Sequence, residues 1–536
     1  MSPRTSDRSD AIDPAVYARR WQILIVLCLS LTVVMVANGS LNVALPILAD
    51  SLGASSSSLQ WMVDSYALVF AGMLFAAGTL GDRFGRKRAL QFGLVLFLGA
   101  ALFAVQSDTA NQIIGARAVM GFAAAFVMPS TLSLLANVFP AEERGRAIAL
   151  WAGIAAGGAA LGPPTSGFLV EHFWWGSVFL VNVPVLVIAI VAGRILLPES
   201  RDPDGHRIDL PGVALSIVGI GALVYAIIEA PAKGWLSAHT MVVATVAVVA
   251  LLLFAARELT AREPMVDFEL FRNRAFSGAS FGIAVSYLVM FGMMFLLTQY
   301  LQMVLGYSPF GAGLLMLPMS LTMMVLAPQA AKVVARHGVA RVVPVGMSLV
   351  AAGLVALSFL DTDSPGPAVY LALGPMIVGL SSTTPALTAT IMSAVPRERA
   401  GVGSAMNDTT RELGGALGVA VLGSLVTTRF HQGVAGPLES LPPATAAEVD
   451  SGLAGALRAA DSLPGEASRE LSRQARESFT AGLGTAALVA AGLVVLAALI
   501  LRSVLATKAP LADRDAEIVD AIECGTEPEV VAVGGR

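Results

Sequence analysis

Apolar residues gather along this chain in long blocks, parted by short polar stretches. The blocks cover 22–46, 60–81, 89–107, 112–135, 146–170, 177–197, 210–229, 238–257, 275–303, 311–331, 341–360, 368–393, 402–427 and 479–501. About 20 consecutive apolar residues are what an α-helix needs to cross the hydrocarbon core of a bilayer. Backbone surrounded by lipid must satisfy its own hydrogen bonds, so helices are the default for such blocks. The pattern predicts fourteen transmembrane helices and an all-α membrane protein. The same block lengths argue against a large soluble protein with a fat core. The first block runs long and lacks a small-residue cleavage site, so it reads as a membrane helix and not as a signal peptide.

An even number of spans puts both termini on one side, and the basic residues say which. They fall in the loops after even-numbered blocks: Arg83, Arg86, Lys87 and Arg88; Arg144 and Arg146; Arg201 and Arg207; Arg262, Arg272 and Arg274; Lys332, Arg336 and Arg341; Arg397 and Arg399. Short loops on the other face carry almost none. Basic loops stay inside, so both termini are expected in the cytoplasm and the protein in the cytoplasmic membrane. The exception is the outward segment 430–478, which carries several arginines; long loops cross largely regardless of charge. After Pro443 it is rich in Ala and Leu with spaced charges, which suits an amphipathic helix on the membrane surface. A lid over the outer mouth and a passive insertion both fit it.

The chain also repeats. Shifted by 253 residues, blocks 1 to 5 land on blocks 9 to 13, and the polar loop Gly81–Gly93 overlays Val334–Gly346, pairing Arg83 with Arg336, Gly85 with Gly338, Arg88 with Arg341 and Gly93 with Gly346. Blocks 6 and 14 correspond once 430–478 is removed, and blocks 7 and 8 are left over. The expected organisation is a cytoplasmic segment 1–21, a six-helix half 22–200, two extra central helices 201–260, a second six-helix half 261–505 and a cytoplasmic acidic tail 506–536. Two related halves around a midplane site is a transporter plan.

Composition narrows the chemistry. Apolar residues are 56% of the chain and charged residues 13%, where a soluble domain has about 25% charged. Arginine far outnumbers lysine, and with the abundance of Ala, Gly and Val this points to a GC-rich, bacterial genome. Cys28 and Cys524 are far apart, so no disulfide framework is implied. His172, His206, His239, His337 and His431 all fall in or beside predicted loops, which argues against a metal site or a histidine relay. No phosphate-cradling GxxxxGK[ST] run, nucleophile elbow or metal-ligand cluster is present. An ATP-driven pump and an enzyme are therefore not expected, nor is a nucleic-acid partner or any cofactor beyond a coupling proton.

Charges inside the blocks are the strongest pointers. An ionisable group at mid-bilayer costs at least ~2.5–3.5 kcal/mol and is a functional hypothesis by default. Asp64 sits near the outer end of block 2, and Arg117 a turn or two into block 4. Asn38 and Asn42 lie at similar depth on one face of block 1. Asp408 and Glu412 share a face of block 13, with Arg411 beside them. Structural readings stand beside the functional one: a helix cap for Asp64, an ordering partner for Arg117, a static ion pair of Arg411 with the two acids. The functional reading is a protonatable site whose charge decides which way the protein faces. In blocks 9 and 10 the methionines Met290, Met293, Met294, Met303, Met316, Met319, Met323 and Met324 could line an adaptable pocket or fill packing gaps.

The run GTLGDRFGRKRAL, Gly78–Leu90, lies on the tight basic turn between blocks 2 and 3. It closely resembles the loop signature of the major facilitator superfamily. GAALGPPTSG, Gly158–Gly167, resembles the antiporter motif of its drug-exporting branches, with Ser166 in place of the first of a final glycine pair. QWMVDSYALVFAG from Gln60, FLVNVP from Phe179 and QYLQMVLGYSPFGAGLLMLP from Gln299 complete a resemblance to the fourteen-helix drug:H+ antiporter branch over about residues 20–430 and the last block. The resemblance implies the major facilitator fold, two six-helix halves plus two central helices, and proton-driven export by alternating access. It implies a role for the Arg117 position in the cavity and in proton coupling. With the charges above, proton coupling is expected at Asp64, Arg117, Asp408 and Glu412, a substrate cavity with Asn38, Asn42, Tyr66, Gln299, Gln302 and Arg411, and conformational motifs at Gly78, Asp82, Arg83, Gly85, Arg86, Gly158, Gly162, Pro163 and Gly167. One departure matters. The branch places an acid nine residues before the proline closing its helix 1 motif; that proline is Pro46 here and the position is Ala37. A preference for dicationic drugs is thereby put in doubt. The expected substrates are small amphiphilic molecules, lipids among them, and the expected state is a monomer. A dedicated exporter of one natural product or lipid, and an uncoupled facilitator or receptor, are the rival readings.

Overall fold

The computed structural model describes residues 13–201, 209–261, 270–395 and 400–505. The expected acidic tail, Arg207, Arg262, Arg397, Arg399, His206 and Cys524 lie outside the described residues. Within them every regular element is helical. Fourteen long helices follow the fourteen blocks: α1 Arg20–Ser51, α2 Ser56–Phe84, α3 Arg86–Val105, α4 Ala110–Val138, α5 Ala141–His172, α6 Asn182–Leu196, α7 Leu210–Lys233, α8 Ala238–Thr260, α9 Arg274–Gln299, α10 Pro309–His337, α11 Val339–Leu357, α12 Gly366–Ala394, α13 Ala400–Ser440 and α14 Gly465–Leu505. Among the described residues twelve helices are long and apolar enough to cross a membrane, thirteen with the bent α2 counted as one. The remaining helix is α5, 32 residues long, whose glycines, two prolines and charged first turn dilute its apolar character.

Local chemistry sets the ends. Ser55, Ser237 and Ser308 each accept a backbone N–H from the first turn of the helix that follows, and Thr109 with Gln112 forms a reciprocal capping box at the start of α4. The two signature loops turn on glycines in the left-handed region, Gly85 at φ 115° and Gly338 at φ 76°, a conformation that penalises any Cβ. These are the two glycines the internal repeat superposes.

Packing follows the repeat. α1 packs on α5 as α9 packs on α13, α2 on α4 as α10 on α12, and α3 on α4 as α11 on α12. The halves meet along α2 against α13 and α5 against α10, pairs that the 253-residue shift exchanges. α7 wedges between α2 and α13, and α8 packs on α7.

The segment 430–478 differs from expectation. α13 and α14 each run for 41 residues and project past the bundle, joined by two short helices, Pro443–Asp450 and Leu453–Asp461. The predicted amphipathic helix exists, but its apolar stripe (Leu453, Ala456, Ala459, Ala460) is buried against protein and not against lipid. The segment is a cap docked on the other half. Arg458 Nη1 donates to the Ala49 carbonyl at 2.9 Å, its Nε to Glu448 at 3.2 Å, and Ser56 N–H to the Ser451 carbonyl at 2.9 Å.

Candidate functional site

Four helices bring charge and aromatic surface to the junction of the halves. From α4, Arg117 is wholly buried. Its Nε donates to the Met62 carbonyl at 3.0 Å, Nη1 reaches the Ala37 carbonyl at 3.5 Å, and its guanidinium stacks 4.3 Å from the centre of the Tyr66 ring on α2. Nη2 has no partner. Position 37, which carries no acid in this chain, is thus the one Arg117 reaches. From α13, Arg411 lies 3.4 Å from Asp408 and stacks 4.6 Å from the centre of the Tyr287 ring on α9. Glu412 lies within electrostatic reach of Arg411 and Asp408 in its own half and of Arg117 in the other. Residues 408–413 are all part-exposed although they lie inside the predicted span 402–427. Charged side chains in such a place face a cavity and not lipid.

Asp64 stands apart from this group. It is fully buried, and neither carboxylate oxygen has a hydrogen-bond partner. On a helix it points away from Tyr66, two residues on, and among the described residues no ion pair joins it to Arg117. A buried, unpartnered carboxylate costs several kcal/mol unless it holds a proton. Asp64→Asn is therefore expected to leave the melting temperature of the detergent-purified protein unchanged or raised; a drop of more than a few degrees would mean that the carboxylate has a stabilising partner.

Of the other predicted cavity residues, Asn38 is part-exposed and Asn42 is buried with its Oδ1 unpartnered. Gln299 donates to the Phe295 carbonyl of its own helix. Gln302 instead joins the halves, donating to the Val43 carbonyl at 2.9 Å. Three further hydrogen bonds between the halves lie at the same end: Phe310 N–H to Glu171 at 3.0 Å, and the two from the cap, Arg458 to Ala49 and Ser56 to Ser451. There the GAALGPPTSG run meets α10. A Cβ on Gly167 would collide with the Pro309 carbonyl, and one on Gly313 with the Pro163 carbonyl at 2.7 Å. Gly158 and Gly162 face α1 near Thr32 and Gly39. At the opposite end Leu150 and Ile154 of α5 and Leu321, Met324 and Val325 of α10 are exposed. Among the described residues these hydrogen bonds hold the halves together at the cap end.

The signature loop works within its own half. Asp82 pairs with Arg86 at 2.7 Å, Lys87 Nζ donates to the Arg194 and Leu197 carbonyls at the end of α6, and Glu199 takes Arg88 at 3.4 Å. Gly78 approaches Pro129, Gly81 approaches Ala89, and Arg83 stacks over Phe84. No group of three or more His, Cys, Asp or Glu that could hold a metal ion occurs among the described residues.

The sequence pattern of the Major Facilitator Superfamily matches residues 27–419. The chain belongs to the major facilitator superfamily. Within that superfamily the chain is similar to several efflux and resistance proteins. The multidrug efflux pump LfrA of Mycolicibacterium smegmatis is 35% identical over 481 residues, 90% of this chain and 95% of that protein. The tetracenomycin C resistance and export protein of Streptomyces glaucescens is 32% identical, over 93% of this chain and 95% of that protein. The methyl viologen resistance protein SmvA of Salmonella typhimurium is 33% identical over 86% and 93%. Among solved structures, a bacterial homologue of the lysosomal transporter Spinster shares the fold at a TM-score of 0.64 and 16% identity, covering 93% of this chain and 98% of its own. Major facilitator membership accounts for the two halves and the signature loop.

Two residues of the cluster, Tyr287 and Phe291, were not singled out by sequence. A signal existed. SYALVF at 65–70 and SYLVMF at 286–291 share their Ser, Tyr and Phe, and each presents its Tyr beneath an arginine.

Proposed function

We propose that this major facilitator protein is a proton-coupled antiporter that exports amphiphilic small molecules across the cytoplasmic membrane by alternating access. In this reading α5 is also a span, both termini are cytoplasmic, and the signature-loop end faces the cytoplasm. The observation that carries the reading is the charge gathered at the junction of the halves, wholly buried Arg117 on one side and Asp408, Arg411 and part-exposed Glu412 inside a predicted span on the other. With both acids ionised, Arg117, Arg411, Asp408 and Glu412 sum to zero charge. A proton on Glu412 removes the attraction between the halves at this level and leaves a net positive site. Charge therefore sets the balance between facing states, and a proton entering down 100 mV supplies ~2.3 kcal/mol per cycle. The efflux and resistance relatives support the direction of transport.

The test is everted membrane vesicles with a pH-sensitive dye and a panel of cationic and neutral amphiphiles. Wild type is expected to discharge the pH gradient when a substrate is added, and Glu412→Gln to abolish the response while remaining folded. Asp64→Asn and Asp408→Asn, run alongside, separate the three acids. A wild type that moves no protons with any compound rejects coupling. A dedicated exporter of one natural product is the second reading, favoured by the likeness to the tetracenomycin C export protein and by Ala37. It predicts resistance to one compound class only.

A further inference from the structure

Basic residues at the signature-loop end are used in two ways. In the signature loop they are spent on protein: Arg86 on Asp82, Lys87 on the carbonyls that end α6, Arg88 on Glu199. At the starts of α1 and α5 most are not. Tyr17–Trp21 and Phe139–Arg146 together carry four arginines and two glutamates. Arg20 takes Glu143 with two hydrogen bonds, at 2.7 and 3.0 Å. Arg146 senses Glu143 only at longer range. Among the described residues Arg19, Arg144 and Arg146 form no ion pair.

Three of these arginines meet along one aromatic row. The Arg20 guanidinium lies 3.7 Å over the Tyr17 ring and 6.0 Å from the Trp21 ring, and Arg146 covers Trp21 at 5.3 Å. Trp21 meets Phe139 edge-on at 5.2 Å. The Phe139 carbonyl accepts from Arg144 at 3.5 Å, a long bond that leaves the rest of that guanidinium for another acceptor. The charge is within reach of a ligand: Arg144 and Arg146 are exposed, Tyr17 is 40% exposed and Trp21 half-buried. The apolar blocks begin at 22 and 146, so these side chains stand at the level of lipid head groups, where Trp and Tyr are enriched. Fixing topology needs basic residues in a loop; it does not need them to converge from two helices on one aromatic row. Guanidinium forks match phosphate oxygens, and unspent positive charge beside a span attracts anionic lipid. A zwitterionic lipid brings its own cation and gains less.

We infer that the starts of α1 and α5 form a head-group site for an anionic phospholipid, its phosphodiester held by Arg144 and Arg146 and its glycerol region lying against Tyr17 and Trp21. A lipid held there ties α1 to α5 beside the Arg20–Glu143 pair. The inference goes beyond the export reading and takes from it only that α1 and α5 are spans beginning at one membrane face.

The test measures lipid binding, not transport. The full chain in a mild non-ionic detergent is titrated with dioleoyl-phosphatidylglycerol, dioleoyl-phosphatidylcholine or inorganic phosphate, and adducts are counted by native mass spectrometry. One arginine near the surface is worth about fivefold in binding anionic lipid. Wild type is expected to take its first phosphatidylglycerol at a concentration about fivefold or more below that for phosphatidylcholine, and inorganic phosphate should not displace it. Replacing both arginines, Arg144→Gln with Arg146→Gln, should weaken the phosphatidylglycerol adduct about 25-fold and leave phosphatidylcholine unchanged. Arg144→Lys with Arg146→Lys keeps the charge and should stay within about fivefold. Arg88→Gln removes an arginine already paired with Glu199 and should stay within about twofold. Equal affinity of wild type for the two lipids overturns the inference without any variant, so a glutamine variant that fails to fold does not shelter it. A loss in Arg88→Gln equal to that in the double variant also overturns it, since overall charge would then be the cause. Displacement by phosphate at matched concentration makes this a site for free anions and overturns the lipid. A wild type that prefers phosphatidylglycerol as expected but moves no protons in the vesicle assay upholds the lipid site and rejects the coupling.

Discussion

Arg117→Met is expected to abolish transport and to destabilise the protein, and adding Glu412→Gln is expected to restore stability without restoring transport. Arg117 is wholly buried, and its firm hydrogen bond is to the Met62 carbonyl. Removing it deletes a charged hydrogen bond, worth roughly 1.5–3 kcal/mol, and the stack on Tyr66. It also leaves Glu412 without the positive charge it faces across the junction. Glu412 is part-exposed, so losing that charge costs less than breaking a buried ion pair, and removing both charges brings the site back towards neutrality. The single variant should therefore lose a few kcal/mol, and the double variant less than the sum of the two singles, with a coupling of about 1–3 kcal/mol. Thermal melts of the four proteins in detergent give the cycle, and the vesicle assay gives transport. Strict additivity would mean that Arg117 and Glu412 do not sense one another, and the trans-half coupling would fall.

How much of this was legible depends on which physics was at work. The bilayer demands long apolar helices, so the helical blocks could be read directly, and α1 through α14 follow them. Gly85 and Gly338 could be paired because left-handed turns leave a residue-level mark. Charges in apolar blocks are rare, so Arg117, Asp408, Arg411 and Glu412 stood out. Tyr287 did not, since a tyrosine in an apolar block is ordinary until an arginine is seen above it. The cap is expected on the membrane surface, with a lid or a passive insertion both open, because an Ala/Leu stripe looks the same whether it faces acyl chains or another helix; the bonds of Arg458 to Ala49 and of Ser56 to Ser451 decide for protein. Asp64 and Arg117 looked alike as buried charges, and the structure separates them by their partners. Gln302, grouped with the cavity by its motif, turns out to join the halves at Val43.

Gly313→Val is expected to stop transport while the protein stays folded, because it acts on the contact between the halves and not on either core. At this point α10 runs against α5 so closely that a Cβ would sit 2.7 Å from the Pro163 carbonyl and 2.9 Å from the Pro164 Cα. Both obstacles are backbone, and prolines hold it stiff, so the strain is relieved only by moving the helices apart. Separation breaks the neighbouring cross-half bonds, Phe310 to Glu171 first and Gln302 to Val43 next. The equilibrium then moves away from the state closed at the cap end. Arg458→Ala acts on the same equilibrium more gently. It removes a part-exposed ion pair with Asp50 and a hydrogen bond to Ala49, both across the halves, about 1–2 kcal/mol in all and roughly a five- to thirtyfold shift in the ratio of the two states. Thiol labelling of Gln302→Cys by a membrane-impermeant maleimide, with Cys524 replaced by serine in every variant, reads that ratio from the cap side, Cys28 being buried. Labelling should rise in the order wild type, Arg458→Ala, Gly313→Val, with melting temperatures changing little. Unchanged labelling in Gly313→Val, with transport lost, would place the effect of the glycine inside one half and remove the cap-end contact from the transport cycle.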